Sequence, residues 1–95
     1  MRLAEDAAAV VWFGIERGRV SATRSCCLSS TRGRWQTVRV YDNTHGQDEM
    51  HRHTLSGGKQ AAEVLSPESD FGVAMRAARE DVIAGYEKMI QGWRR

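Results

Sequence analysis

The three histidines of this chain lie close together in one polar stretch. His45, His51 and His53 all fall within "YDNTHGQDEMHRHTLSGGKQ", residues 41–60. His51 and His53 are two positions apart, so on a regular strand both rings project from the same face. His45 lies in the preceding loop and can fold back over Asp42. Residues of these types suit two kinds of chemistry, acid/base catalysis and metal binding.

A pair of histidines that titrate near neutrality suits metal-free cleavage of RNA. One ring removes the proton of the 2′-hydroxyl group and another protonates the leaving oxygen. Arg52 faces away from the histidines on a regular strand, so Arg39 on the neighbouring strand is the better candidate to stabilise the transition state. We therefore predict a catalytic set of His45, His51, His53, Asp42 and Arg39. The alternative leaves the histidines as ordinary residues on the solvent face of a sheet.

Three imidazoles and a carboxylate are also a plausible ligand set for a first-row transition metal. No second signature, such as H-E-x-x-H, accompanies them, and His-x-His pairs are common by chance. We therefore predict neither a metal ion nor another cofactor. "LSGGK", residues 55–59, is explained by a hairpin turn, and "DFG", residues 70–72, by the start of a helix.

The net charge of +2 conceals a strong asymmetry along the chain. Residues 17–41 hold six arginines and no acid, whereas residues 42–70 hold six acids against two bases. The planar guanidinium group suits phosphate recognition, and aromatic rings can stack on single-stranded bases. These observations predict a nucleic-acid-binding set of Arg24, Arg32, Arg34 and Trp35. The alternative to a ribonuclease is thus a non-catalytic RNA- or protein-binding module.

The elements that must position these residues are indicated by periodicity. Alternation typical of strands runs through "GRVSATRSCCLSS", "RWQTVRVYD", "EMHRHTL" and "QAAEVL", with turn residues between them. Leu3 to Glu16 is alanine-rich and predicts a short helix, although "VVWFGI" is also compatible with a strand. We predict one α+β domain over residues 1–95, with an antiparallel sheet of about four strands, a short N-terminal helix and a long C-terminal helix packed on the sheet.

The C-terminal helix has the clearest pattern in the chain. From Phe71 onward, apolar residues recur in steps of four and three, and Ser66 or Asp70 can cap the helix. Gly85 disfavours a helix interior, and a close approach of the helix backbone to the sheet would explain it. The predicted stripe comprises Phe71, Met75, Ala78, Val82, Tyr86, Met89 and Trp93, widened by Ile83 and Ile90.

The blocks "VRVYDNTHGQDEMHRHTLSGGK" and "AMRAAREDVIAGYEKMIQGW" resemble a small bacterial family of unknown function. Its members carry a YDN-x-HG block, then H-x-H, then a C-terminal helix with a Gly-Tyr pair near its middle. The Asp-Asn…His…His pattern is more distantly similar to the TumE-type proteins of toxin–antitoxin pairs, which are small α+β proteins. The resemblance covers roughly Gly33 to Trp93 and implies a toxin-type function centred on Asp42, Asn43 and the three histidines.

Composition bounds the setting and the partners of the protein. No apolar run approaches the roughly 18 residues that cross a bilayer, and no signal peptide is evident. Cys26 and Cys27 are adjacent and cannot form an ordinary disulfide with each other. We expect a soluble, cytoplasmic protein with reduced thiols. Its expected partners are RNA, an antitoxin-like protein, or a second copy of the chain joined through a sheet edge.

Overall fold

The computed structural model describes residues 1–43, 47–66 and 70–95. Within these ranges the chain forms six strands and one helix, and the strands make a single antiparallel sheet in chain order. This confirms the α+β class and the long C-terminal helix, but the sheet has six strands instead of about four. The elements are β1 (Arg2–Ala4), β2 (Ala7–Glu16), β3 (Arg19–Thr31), β4 (Arg34–Asp42), β5 (Asp48–Thr54), β6 (Gly58–Ser66) and α1 (Phe71–Arg94).

The predicted N-terminal helix is wrong, because residues 2–16 form the hairpin of β1 and β2. Ala7 and Ala9 are both buried in the core, whereas the residues between and after them are not. That alternation suits a strand, and alanine there lets the sheet approach the helix closely. The helix preference of alanine amounts to less than about 1 kcal/mol per residue, so tertiary packing readily overrides it.

Two Arg-Gly pairs make the turns on either side of β3. Arg17 and Gly18 have φ of 53° and 77°, and Arg32 and Gly33 have φ of 54° and 75°. Positive φ at both central residues defines the type I′ turn, whose twist matches that of a two-residue hairpin. Glycine takes this conformation readily and arginine does so at a cost. The predicted turn before β4 is thus confirmed, and the strand before it extends to Thr31.

Helix α1 begins as predicted at Phe71 and packs across one face of the sheet. The Asp70 side chain caps it by accepting a hydrogen bond from the Val73 N–H at 3.1 Å. Ile83 does not belong to the buried stripe, since 39% of its surface is exposed. A Cβ at Gly85 would meet only Met89 of the same helix, at 3.5 Å, so no close approach to the sheet explains this glycine. The buried residues of α1 are Ala74, Ala78, Val82, Met89, Ile90 and Trp93.

The core lies between α1 and the face of the sheet that we call the helix face. Cys27, Val38, Tyr41 and Met50 belong to it, together with the buried side of the helix. Tyr41 donates a hydrogen bond to the Asp81 carboxylate of α1. The opposite surface of the sheet, which we call the open face, carries no helix in the described chain. No described helix is long and apolar enough to cross a membrane.

Candidate functional site

The register of the sheet assembles two rows of side chains across the open face. Residues directly opposite each other in an antiparallel pair share a face, with Cβ atoms about 5 Å apart. The first row runs through Trp12, Arg24, Asp42, Glu49 and Val64, one from each strand β2 to β6. The adjoining row runs through Val10, Cys26, Val40, His51 and Ala62. His51 therefore lies beside the Asp42–Glu49 pair.

Asp42, Glu49 and His51 form a buried triplet at the centre of these rows. Their side chains retain only 7%, 6% and 6% exposure respectively. One donor atom from each residue, a carboxyl oxygen or a ring nitrogen, lies within 4.8 Å of the other two. The triplet therefore combines two carboxyl groups and an imidazole in a space small enough to share one ligand.

His51 is oriented by a main-chain hydrogen bond. Its Nδ1 lies 3.2 Å from the carbonyl oxygen of Gln60 on β6. A carbonyl oxygen can only accept, so Nδ1 carries the proton and donates it. In the neutral ring this leaves the lone pair on Nε2. The backbone of β6 thereby fixes both the tautomer and the ring plane of His51.

The triplet adjoins an open groove of ≈ 920 Å³ on the same face. Two of its lining residues, Arg24 and Lys59, are cationic, and a third, Trp12, is 59% exposed. The groove therefore presents positive charge and an aromatic surface next to a titratable centre. It is lined by Trp12, Ser21, Ala22, Thr23, Arg24, Asp42, Asn43, His51 and Lys59.

His53 is separated from the triplet by an irregularity in the sheet. The pairing of β5 with β6 shifts register between His51 and His53. His53 lines a smaller cavity of ≈ 250 Å³ between the sheet and the C-terminal part of α1. Burial lowers its pKa, and the charge of Lys59 lowers the pKa further. Its Nε2 makes no hydrogen bond within the part of the chain that the structure describes.

Arg39 lines the same cavity as His53 but does not lie beside the triplet. It pairs directly opposite Arg52, so the two arginines share the helix face and point away from His51. Its guanidinium donates to the Tyr41 hydroxyl at 3.5 Å. The register therefore separates Arg39 from His51 in the same way as Arg52. Arg24, which the register brings opposite Asp42, is the arginine beside the triplet.

The predicted nucleic-acid-binding residues divide into two places. Arg24 lines the groove, whereas Arg32 and Arg34 lie in and beside the exposed β3–β4 turn. Trp35 carries the Arg2 guanidinium over its ring, 5.2 Å from the centroid. Five strand residues, or about 17 Å, separate Trp35 from Val40, the partner of His51. The structure thus does not bring the turn and Trp35 to the triplet.

Asn43, which the resemblance singles out, is held in the sheet by its side chain. Its Oδ1 accepts the Thr23 N–H at 2.8 Å, and its Nδ2 donates to the Ser21 carbonyl at 3.3 Å. The amide thereby extends the β3–β4 pairing one residue beyond Asp42. The contacts of this side chain are those of a structural residue at the wall of the groove.

The sequence prediction missed Glu49, Lys59 and Trp12. The signal for Glu49 is present in the alternation of Glu49, His51 and His53 along one strand, immediately after a strand that ends in Asp42. Lys59 and Trp12 could not be found without the register of the whole sheet. His45 lies outside the described residues, so its predicted role remains a prediction.

Comparisons with protein-family models, with curated proteins and with solved structures gave no match.

Proposed function

We propose that the protein binds a single RNA strand in the open groove and cleaves it, as a ribonuclease of the toxin type. The observation that carries this proposal is the juxtaposition of Arg24 and Lys59 with the Asp42–Glu49–His51 triplet along one groove. The cations suit a phosphate group, and the triplet offers the proton-accepting groups that phosphodiester cleavage requires. The resemblance to toxin–antitoxin proteins supports the same class.

The groove favours a single strand over a duplex. Trp12 is exposed and lies directly opposite Arg24, so a base stacked on the indole would bring its phosphate to the guanidinium. Stacking on an aromatic ring requires an unpaired base, which duplexes do not offer. The triplet, two strands further along the row, would then lie near the adjoining phosphodiester.

The test is incubation of the purified protein with end-labelled single-stranded RNA, alongside His51→Ala, Arg24→Ala and a matched arginine control. Arg52→Ala is that control, because Arg52 lies on the other face and pairs with Glu63 at the surface. We expect His51→Ala to lower kcat by at least about 100-fold, the usual share of a positioned acid/base group. Arg24→Ala should mainly raise KM, and Arg52→Ala should cleave like the wild-type protein.

If the protein is a toxin-type ribonuclease, the effects of its variants on cell growth should follow their effects on RNA cleavage. Expression of the wild-type chain should arrest bacterial growth, and expression of His51→Ala should not. An antitoxin-like partner encoded nearby should then relieve the arrest by covering the groove. Binding of RNA without cleavage would instead support the alternative, a non-catalytic RNA-binding module, and would overturn the ribonuclease proposal.

A further inference from the structure

We propose that Asp42, Glu49 and His51 bind one divalent transition-metal ion. The inference deepens the proposed function, since it places an ion at the chemical centre, and its catalytic meaning rests on that function. The binding of the ion does not depend on that function. The sequence predicted no metal because no second ligand signature accompanies the three histidines and Asp42. The register replaces that set with one carboxyl group from β4 and a carboxyl group and an imidazole from β5.

The spacing of the donor atoms fits a shared ion. Ligand atoms bound at about 2.0–2.2 Å from a metal lie at most about 4.4 Å from one another. The three donor atoms here lie within 4.8 Å of one another. Three ligand atoms cannot all lie opposite one another across an ion, so shifts of up to about 1 Å per side chain would close the site.

The surroundings of His51 match those of metal-bound histidines. Such histidines usually donate the other ring N–H to a carbonyl or carboxylate oxygen, which fixes the ring and increases the basicity of the ligating nitrogen. His51 makes this contact from Nδ1 to the Gln60 carbonyl, a group outside the triplet. The remaining nitrogen, Nε2, is the one that would bind the ion.

The donor set indicates the class of ion. Two carboxylates and one imidazole carry two negative charges and mix hard oxygen with nitrogen, which suits Mn²⁺, Fe²⁺ or Zn²⁺ better than Mg²⁺ or Ca²⁺. Three protein ligands leave coordination positions open, as in catalytic sites. Because the triplet adjoins the groove, those positions would be reached by a phosphate oxygen held by Arg24 or Lys59.

In the experiment, Mn²⁺ is titrated into the metal-stripped protein. Binding is measured by calorimetry and by the loss of the free-Mn²⁺ signal in electron paramagnetic resonance. We expect one ion per chain and a raised Tm that EDTA reverses. Glu49→Gln and Asp42→Asn keep the side-chain shape and should weaken Mn²⁺ binding at least about tenfold. Glu63→Gln, which removes an exposed carboxylate of β6, should bind Mn²⁺ like the wild-type protein.

Two results would overturn the metal proposal. One is a folded wild-type protein, checked by circular dichroism, that binds no Mn²⁺ or Zn²⁺ at millimolar concentration. The other is equal binding by Glu49→Gln and Glu63→Gln. RNA cleavage in EDTA that still requires His51 would refute a catalytic role of the ion and retain the ribonuclease. Mn²⁺ binding by the triplet without RNA cleavage would retain the ion and refute the ribonuclease.

Discussion

The adjacent cysteines show how one step along a strand changes the chemistry of a side chain. Cys27 points to the helix face and is fully buried, whereas Cys26 points to the open face and is partly exposed. Burial raises the pKa of both thiols, that of Cys27 to about 11 from an ordinary 9.0. Since the thiolate is the nucleophile, both groups should be poorly reactive at neutral pH.

We predict that the thiol of Cys27 reacts slowly with Ellman's reagent in the native protein. At pH 8, a pKa of about 11 leaves about one thiol in a thousand ionised, against about one in ten for a pKa of 9. The Cys26→Ser variant retains the fully buried Cys27, so it should react more slowly than Cys27→Ser, which retains the partly exposed Cys26. The rate for Cys27 should keep rising as the pH is raised towards 11. Equal rates in the two variants at pH 8 would contradict the burial of Cys27.

At the scale of the elements, the junction after β4 determines where the site forms. Asp42 is the last residue of β4, and Asn43 continues its pairing with β3 through the side-chain amide. This contact holds the end of β4 against β3 at the position from which Asp42 faces Glu49. The paired ends of β4 and β5 therefore position the two carboxyl groups.

We expect Asn43→Ala to destabilise the protein by about 2 kcal/mol. The change leaves the N–H of Thr23, a buried residue, without its acceptor, and unpaired buried polar groups cost about 1–3 kcal/mol. Asn43→Asp retains an acceptor for Thr23 and should cost less. Urea unfolding followed by tryptophan fluorescence measures the difference. A decrease of less than about 0.5 kcal/mol in the free energy of unfolding for Asn43→Ala would show that the end of β4 does not need this contact to stay paired with β3.

The elements also show what the sequence could and could not predict. The 3.6-residue period of α1 and the alternation of β3 to β6 were readable, because each arises from burial of one side of a single element. The strand conformation of Ala7 and Ala9 was not readable, because it depends on a helix more than sixty residues away that packs over them. Propensity differences of less than about 1 kcal/mol cannot decide such a segment alone.

Only part of the site could be predicted, because the rest depends on how the strands pair. Asp42 and His51 were identified from residue type and spacing, and both belong to the triplet. The alternation of Glu49 with His51 was readable, but only the pairing of β4 with β5 brings Glu49 to Asp42, and Arg39 was misplaced because its face depends on that register. A shift of one residue would have exchanged Arg39 for a neighbour on the other face. Register is a property of strand pairs, which single-strand patterns do not fix.

For the whole molecule, the part of β2 that β1 does not cover is an unpaired edge of the sheet. Contacts with Met1 and β1 reach only as far as Ala9, so within the described chain no strand pairs with this edge from Val10 to Glu16. The same segment exposes large apolar side chains, namely Val10, Trp12, Phe13 and Ile15. An apolar, unpaired edge is a template for pairing with another strand.

We predict self-association through this edge, the homodimer expected from the sequence. Sedimentation velocity should show dimer at high protein concentration, and Ile15→Lys should shift the equilibrium towards monomer. Ile83→Lys is the matched control, because Ile83 is likewise an exposed isoleucine but lies on α1. A chain that stays monomeric at millimolar concentration, or an equal effect of both substitutions, would contradict the prediction.

The order of the strands has a consequence for how the chain acquires its structure during synthesis. Each strand pairs with its neighbours in the chain, so each hairpin can close soon after its second strand leaves the ribosome. The helix that covers the core follows all six strands. Until Trp93 has emerged, the nascent sheet shows its apolar face to solvent. A ribosome that stalls while α1 is being synthesised would therefore release a sheet that aggregates, and cotranslational chaperone contact is expected at that stage.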